Sequence, residues 1–403
     1  MESTPLVIIE SAEALQAAIE RMRGEAVLGI DTEADSMHHY TEKVCLIQVS
    51  DSARDYIIDP LAGFSLEPLS DLMADPQVVK VFHGADYDVV SMKRDFGFEI
   101  RGVFDTMIAG QLLDLPRVGL ADIVGELFGW YMDKKYQTCD WSKRPLSSDQ
   151  LDYARGDTHF LLAVREHFLR QLNKVDRLDI ANEEFALVEE REWSQKLDKT
   201  TAFLKVKTSN KLDDRGKRVL RCLWEMRDGH AEALDRPPYK VVPDQVLIKL
   251  SHARPKTREG LDSIIRGNSS MARRFGADLL AAILTGLEDD RPIPDAPTKS
   301  RSGGTPARHG SRETERLFGE LKTWRSRVTK RDKVPMVMVL SNGQLKAIAG
   351  FRPQDEEELR GLEELRSWQA DRYGEELLGL VREFEAGLSG EPKKRRRTRR
   401  KDA

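Results

Sequence analysis

Cysteine is scarce in this chain, with only Cys45, Cys139 and Cys222 among 403 residues. An odd number at long separations gives neither a disulfide framework nor a zinc spacing, so a reducing, cytoplasmic setting is expected. No apolar run approaches the roughly 18 residues that span a bilayer, which argues against a membrane protein. The N-terminal stretch MESTPLVIIESAEALQ lacks the basic-then-apolar layout of a secretory signal. No GxxxxGK(S/T) phosphate loop occurs, so a P-loop motor or helicase fragment is excluded. What is present is a soluble, globular balance, 40% hydrophobic and 33% charged, with length enough for two or three domains.

The net charge of −4 conceals an asymmetry. Residues 393–403, KKRRRTRRKDA, carry +7, which leaves −11 for the rest. An acidic body with a basic tail points to polyanion contact through the tail, salt-sensitive and independent of sequence. Such a tail also resembles a nuclear localisation signal, and a solvated tail is the plain alternative.

Apolar, β-branched runs at Leu6–Ile9, Ala26–Ile30, Val44–Val49, Tyr56–Ile58 and Val78–Phe82 predict strands. Helical patterns follow at about 66–74, 87–96, 105–114, 119–128 and 149–171. Together they predict an α/β domain over 1–172, a mixed sheet flanked by helices. A helical connector is expected over 173–211, an all-helical unit over 212–288, a Pro/Gly/Ser-rich linker over 289–312, a second helical unit over 313–389 and a basic tail over 390–403. The helical units look like a duplication. Leu247, Pro255, Leu261 and Ile264 match Leu345, Pro353, Leu359 and Leu362 at an offset of 98, and Trp224 pairs with Trp324 at 100.

Three segments of the first domain place carboxylates where a metal site can form. In Leu28-Gly29-Ile30-Asp31-Thr32-Glu33, strand alternation puts Asp31 and Glu33 on one face. Two carboxylates there are costly without a cation or donors, unless the strand is simply emerging into solvent. In VFHGADYDVV, Asp86 reads as a helix N-cap, while Asp88 is less easily explained by capping, leaving a helix-dipole role as its plain reading. In LDYARGDTH, Tyr153 and Asp157 share a helix face, as a hydrogen-bonded surface pair would too.

Asp31-x-Glu33, Asp88 and Tyr153-x-x-x-Asp157, in this order, resemble the three motifs of the DEDD exonucleases in their tyrosine-bearing subclass. The surrounding VFHGADYDVV, Phe104-Asp105-Thr106, Lys135-Tyr136-Gln137, Asp140-Trp141 and Arg144-Pro145-Leu146 resemble ribonuclease D and its exosome-associated relatives. The helical units resemble tandem HRDC domains. The resemblance implies an RNase H-like exonuclease domain followed by two HRDC-like domains. It also selects Asp88, five residues after His83, as the ligand and leaves Asp86 as the cap. The chain lacks the N-terminal extension of the exosome-associated relatives, so a bacterial type is expected.

That family cleaves phosphodiesters with two divalent ions, which activate a water and stabilise charge on the phosphate. Hard carboxylate oxygens suit Mg²⁺ or Mn²⁺. The resemblance implies that Asp31, Glu33, Asp88 and Asp157 hold the ions and that Tyr153 orients the water. It implies 3′–5′ removal of nucleotides from RNA with a single-stranded 3′ end, tRNA precursors being the usual substrate, with release of nucleoside 5′-monophosphates. Lys135 and Arg144 are candidates for backbone contacts, and Gln48 and Trp141 for shaping the site, with Trp141 also reading as core. Glu33 is a candidate for reading a ribose 2′-OH. His83 and His159 read as local hydrogen-bonding residues, and Cys45 as core. Lys256, Arg258, Lys330, Arg331 and Lys333 on the helical units are candidate nucleic-acid contacts or a solvated face. A DNA exonuclease of the same superfamily and an inactive RNA-binding scaffold are the competing readings.

Overall fold

The structure is a computed structural model that describes residues 4–193, 198–265, 269–294, 311–332 and 334–389. Most of the expected linker, all of the basic tail and Lys333 lie outside the described residues.

The first domain is built on a six-stranded sheet. Its strands are β1 (Leu6–Ile9), β2 (Val27–Ala34), β3 (Val44–Ser50), β4 (Asp55–Ile58), β5 (Val79–Phe82) and β6 (Val103–Asp105), and across the sheet they run β1-β4-β3-β2-β5-β6. β3 is antiparallel to β2 and β4, while β1 pairs parallel with β4 and β5 parallel with β2 and β6. The mixed sheet agrees with the sequence expectation. β2 runs further than the apolar run 26–30 suggests, because its last residues, including Asp31 and Glu33, still pair with β3.

Flanking helices are α1 (Ala12–Met22), α2 (Glu67–Ala74), α3 (Asp86–Phe96), α4 (Thr106–Leu112), α5 (Leu120–Phe128), α6 (Ser148–His159), α7 (Leu161–Lys174) and α8 (Leu178–Glu189). Two elements go beyond the expectation. α1 follows an N-cap at Ser11 and buries Leu15, Ala18, Ile19 and Met22 at helical spacing. β6 is a three-residue edge strand, too short for a period to show. The helix expected over 149–171 is two helices, parted at Phe160.

β2 and α6 come unusually close, and Gly29 permits it. A Cβ there would lie 2.9 Å from the Thr158 carbonyl oxygen and 3.2 Å from Leu161. The Leu-Gly-Ile-Asp-Thr-Glu run thus brings the carboxylates of β2 under the helix that bears Tyr153 and Asp157.

Among the described residues two compact units form. The first contains the sheet domain and one helical module, made of α9 (Asp214–Ala233), α10 (Pro238–Val241), α11 (Asp244–Ala253), α12 (Arg258–Ile264) and α13 (Ser269–Glu288), whose core includes Leu220, Leu223, Leu247, Leu250, Leu279 and Ile283. The second unit holds the other module, α14 (Ser311–Asp332), α15 (Met336–Val339), α16 (Asn342–Phe351), α17 (Glu356–Arg360) and α18 (Ser367–Ser389).

The modules repeat each other in detail. Arg254 and Arg352 both end a helix in the left-handed region, at φ 52° and 57°, just before Pro255 and Pro353, which cannot continue the helix. Arg227 donates to the Val242 carbonyl and Arg325 to that of Leu340, both across the core. Each of these pairs is 98 apart, which corrects the tryptophan match. At that offset Trp324 corresponds to Met226, and Trp224 to Lys322. Two residues along a helix turn a side chain by roughly 200°, so equivalence at 100 would break the shared core.

Candidate active site

The cluster begins on β2. Asp31 pairs across the ladder with Gln48 of β3, and Glu33, two residues on, projects from the same face. α6 lies over that face, capped at Ser147 by a reciprocal box with Gln150. It delivers Asp157, so that one carboxylate oxygen each from Asp31, Glu33 and Asp157 lies within 4.8 Å of the others. Asp88, buried in the first turn of α3, accepts a short hydrogen bond from Thr32. Its charge acts on Asp31 and Asp157.

Four carboxyls in one place oppose their own ionisation. Burial, and then the charges of Asp88, Asp157 and Glu33, push Asp31 well above the ordinary carboxylate range. Glu33 is pushed up to about 9, by burial first and then by Asp157 and Asp88. Asp157 and Asp88 are also raised, each chiefly by burial. No Lys or Arg is among the main influences on these four groups. Hard oxygens, excess negative charge and no internal counter-charge are what a divalent cation site requires. The donor set therefore fits divalent metal.

Tyr153 stands beside the cluster, its ring 5.9 Å from Trp141 and 6.0 Å from Tyr136. Burial, then the charges of Asp157, Glu33 and Asp31, raise the phenol further above its ordinary value. It stays protonated at any working pH and offers a donor.

A second carboxylate, Asp55 of β4, anchors α6. Arg155 donates to its Oδ2 at 2.6 and 3.0 Å, His159 Nδ1 lies 2.9 Å away and Ser50 Oγ donates to Oδ1 at 2.7 Å. Arg155 and His159 are four apart, on the side of α6 that faces the sheet. Removing one partner of a buried ion pair leaves a bare charge, so Asp55→Ala is expected to lower stability by about 3 kcal/mol. Urea unfolding would show this as a lower midpoint at unchanged slope, and a loss below about 1 kcal/mol would mean that the pair is of surface type.

Several expected residues are placed differently. Asp86 is not the cap: it is exposed at the first helical position and pairs with Arg191 at 3.2 Å. α3 has no side-chain cap; Asp105 instead caps α4, accepting from the backbone N–H groups of Met107 and Ile108, and ties the turn before α3 through those of Gly84 and Ala85. Arg144 is not free for a phosphate. Its guanidinium binds both oxygens of Asp59, at 2.5 and 2.7 Å, and the carbonyls of Cys45, Trp141 and Lys143. Trp141 is core, 1% exposed, and acts as a wall behind Tyr153. Gln48 is fully buried, with neither amide atom hydrogen-bonded among the described residues.

Lys135 is exposed, 3.9 Å from Asp149 and 4.8 Å from the Tyr136 ring centre. It lines a cavity of about 290 Å³ that reaches Tyr153 and Asp157. His83 hydrogen-bonds Thr106, in line with its expected role, and Cys45 is buried core as expected, its thiol donating weakly to the Lys43 carbonyl. On the modules, Arg258 is tied to Asp262, and Arg331 to Asp332 and Glu376. Sequence assigns no role to Asp55 and Thr32, because only distant partners mark them, and it shows Asp105 only within the Phe104-Asp105-Thr106 motif, without its capping role.

The fold and the site together define a class. A family model for 3′-5′ exonucleases matches residues 6–173, and the HRDC domain model matches 216–283 and 314–381, again 98 apart. Within that class, the chain is 30% identical over 93% of its length to ribonuclease D of Granulibacter bethesdensis, of which it covers 92%. It belongs to the ribonuclease D family. It is also 31% identical, over 70% of its length, to the exosome complex component 10 homolog of Caenorhabditis elegans, but spans only 33% of that protein. The crystal structure of Escherichia coli RNase D shares the fold at a TM-score of 0.69 and 24% identity, with 94% of this chain and 99% of that one covered. Among the described residues no helix is long and apolar enough to cross a membrane.

Proposed function

We propose that this protein is a cytoplasmic, metal-dependent 3′–5′ exoribonuclease that shortens RNA from a single-stranded 3′ end and releases nucleoside 5′-monophosphates. The observation that carries the reading is the meeting of Asp31, Glu33 and Asp157 within 4.8 Å, with Asp88 alongside and, among the described residues, no lysine or arginine among the main influences on the four. In this reading these four residues hold two divalent ions, Mg²⁺ or Mn²⁺, which when bound supply an acidified water and relief of charge on the phosphate.

The remaining work falls to the chain. Tyr153, protonated and braced by Trp141, donates a hydrogen bond that orients the water for attack. Asp55 holds α6, and so Tyr153 and Asp157, in register with β2. Membership of the ribonuclease D family supports RNA as substrate, and tRNA precursors fit it.

The direct experiment is a gel time course of 5′-labelled, unstructured RNA in Mg²⁺. A ladder shortening by single nucleotides supports the proposal; intact RNA in both Mg²⁺ and Mn²⁺ refutes it. For the tyrosine, Tyr153→Phe is expected to lower kcat by roughly 10²-fold, as loss of a positioned proton-handling group does, with metal binding by calorimetry unchanged. Weakened metal binding in that variant would place Tyr153 among the metal-holding residues instead.

A further inference from the structure

The cavity that reaches Tyr153 has walls that the metal site does not use. Tyr131 is 84% exposed, Trp130 40% and Phe128 42%. A single exposed aromatic residue is ordinary, but three within four positions beside a candidate active site form a surface. They are not loose. Phe160, at the end of α6, stacks on Phe128 at 5.5 Å and lies 6.0 Å from Trp130. Phe128 and Trp130 are thereby tied to the end of the helix that carries Tyr153 and Asp157, with Tyr131 next to Trp130 in the chain. Trp130, Tyr131 and Tyr136 line the cavity itself.

Its polar lining narrows the ligand. Asp149 and Asp152 stand on the wall with Lys135 beside Asp149. Carboxylates repel a phosphate but accept hydrogen bonds from amino and hydroxyl groups. A ligand with a flat π face and such donors is a nucleoside. The cavity is also continuous with Asp157, where the scissile phosphate would sit.

We propose that this cavity is a nucleoside pocket, in which the base of a nucleotide flanking the scissile phosphate stacks on Trp130 and Tyr131. The exonuclease reading enters only in locating the scissile bond. Because every base has a π face, the pocket accepts any sequence, and because the face must be free, it admits only unpaired bases. Selection for a single-stranded end is then a property of this pocket.

The test uses the full chain and RNA oligonucleotides carrying 2-aminopurine at the terminal, the penultimate or a distant upstream position. With EDTA present to prevent hydrolysis, the wild-type protein should quench the fluorophore at a position near the end and not at the distant one. Tyr131→Ala and Trp130→Ala should each weaken binding about tenfold, within the roughly 5- to 150-fold given by loss of one base–aromatic stack. In Mg²⁺ the same variants should raise KM on unlabelled RNA by a similar factor and leave kcat nearly unchanged. Tyr131→Phe and Trp130→Phe keep the π face and should restore both values.

Cleavage and binding undisturbed by the alanine changes would overturn the pocket while leaving the exonuclease intact. Phenylalanine variants as impaired as the alanine ones would overturn stacking. End-specific quenching that depends on Tyr131 and Trp130, in a protein that cleaves no RNA, would uphold the pocket and refute the exonuclease.

Discussion

Asp31→Asn is expected to reduce RNA hydrolysis by on the order of 10³-fold, the scale of several kcal/mol of lost charge stabilisation at the reacting phosphate. The same change should make the metal-free protein more stable. Asp31 is held well above its ordinary pKa by burial and by Asp88, Asp157 and Glu33, so the fold bears a repulsion that a neutral amide of equal shape removes. A gain of about 1–2 kcal/mol is the usual size for such a relief. Opposite movements of activity and stability distinguish a functional cluster from a structural one. Measuring kcat on labelled RNA beside the urea midpoint in EDTA reads both. A variant that is less stable and still active would refute this account of the four carboxylates.

The contrast with Asp55 explains how much of the site is legible in the sequence. Asp31 and Glu33 are legible because the strand period of two places them on one face, and Tyr153 with Asp157 because helix spacing does the same. Each pair is local. Choosing Asp88 over Asp86 needed the family resemblance, since both stand in one helical turn. The structure then adds a reason: Asp88 is buried under Thr32, and Asp86 is out in solvent with Arg191. Asp55 was illegible because its partners Arg155 and His159 lie 100 and 104 residues away. Arg144 misled for the same cause: an arginine near a catalytic motif shows its charge in sequence, but not Asp59, 85 residues off, that occupies it.

Among the elements, the mixed sheet followed from five apolar runs. α1 was not among the expected helices, although its capping Ser11 and its apolar stripe are both local signals. β6 was not legible, because three residues hold no period.

The pH dependence of stability follows from the same carboxyls, and its sign is opposite to that of an ordinary acidic pair. Glu33 keeps its proton in the fold up to about 9, whereas in the unfolded chain it loses it near the usual value of about 4. Between these limits the folded state binds more protons, so stability falls as pH rises, by about 1.4 kcal/mol per unit for each carboxyl still protonated. Asp55 acts the other way. Burial raises it, but bonds from His159, Ser50 and Arg155 outweigh that and hold it below its ordinary value, so its contribution disappears only in acid.

Two bases set the edges of the useful window. Burial lowers His83, and burial pushes Lys80 down to about 8, so both favour the fold more as pH climbs through their own ranges. From pH 6.5 to 8 the carboxyls therefore dominate, and the metal-free protein is expected to lose about 2 kcal/mol from Glu33 alone.

Divalent metal should reverse the trend. Binding to the ionised cluster displaces those protons, so the rise in Tm on adding Mg²⁺ should grow from pH 6.5 to 8. Calorimetry in two buffers of different ionisation enthalpy would count the protons released. A metal-free stability that stays flat or rises across this window, with no proton release on binding, would mean that the four carboxylates already have their counter-charge within the protein.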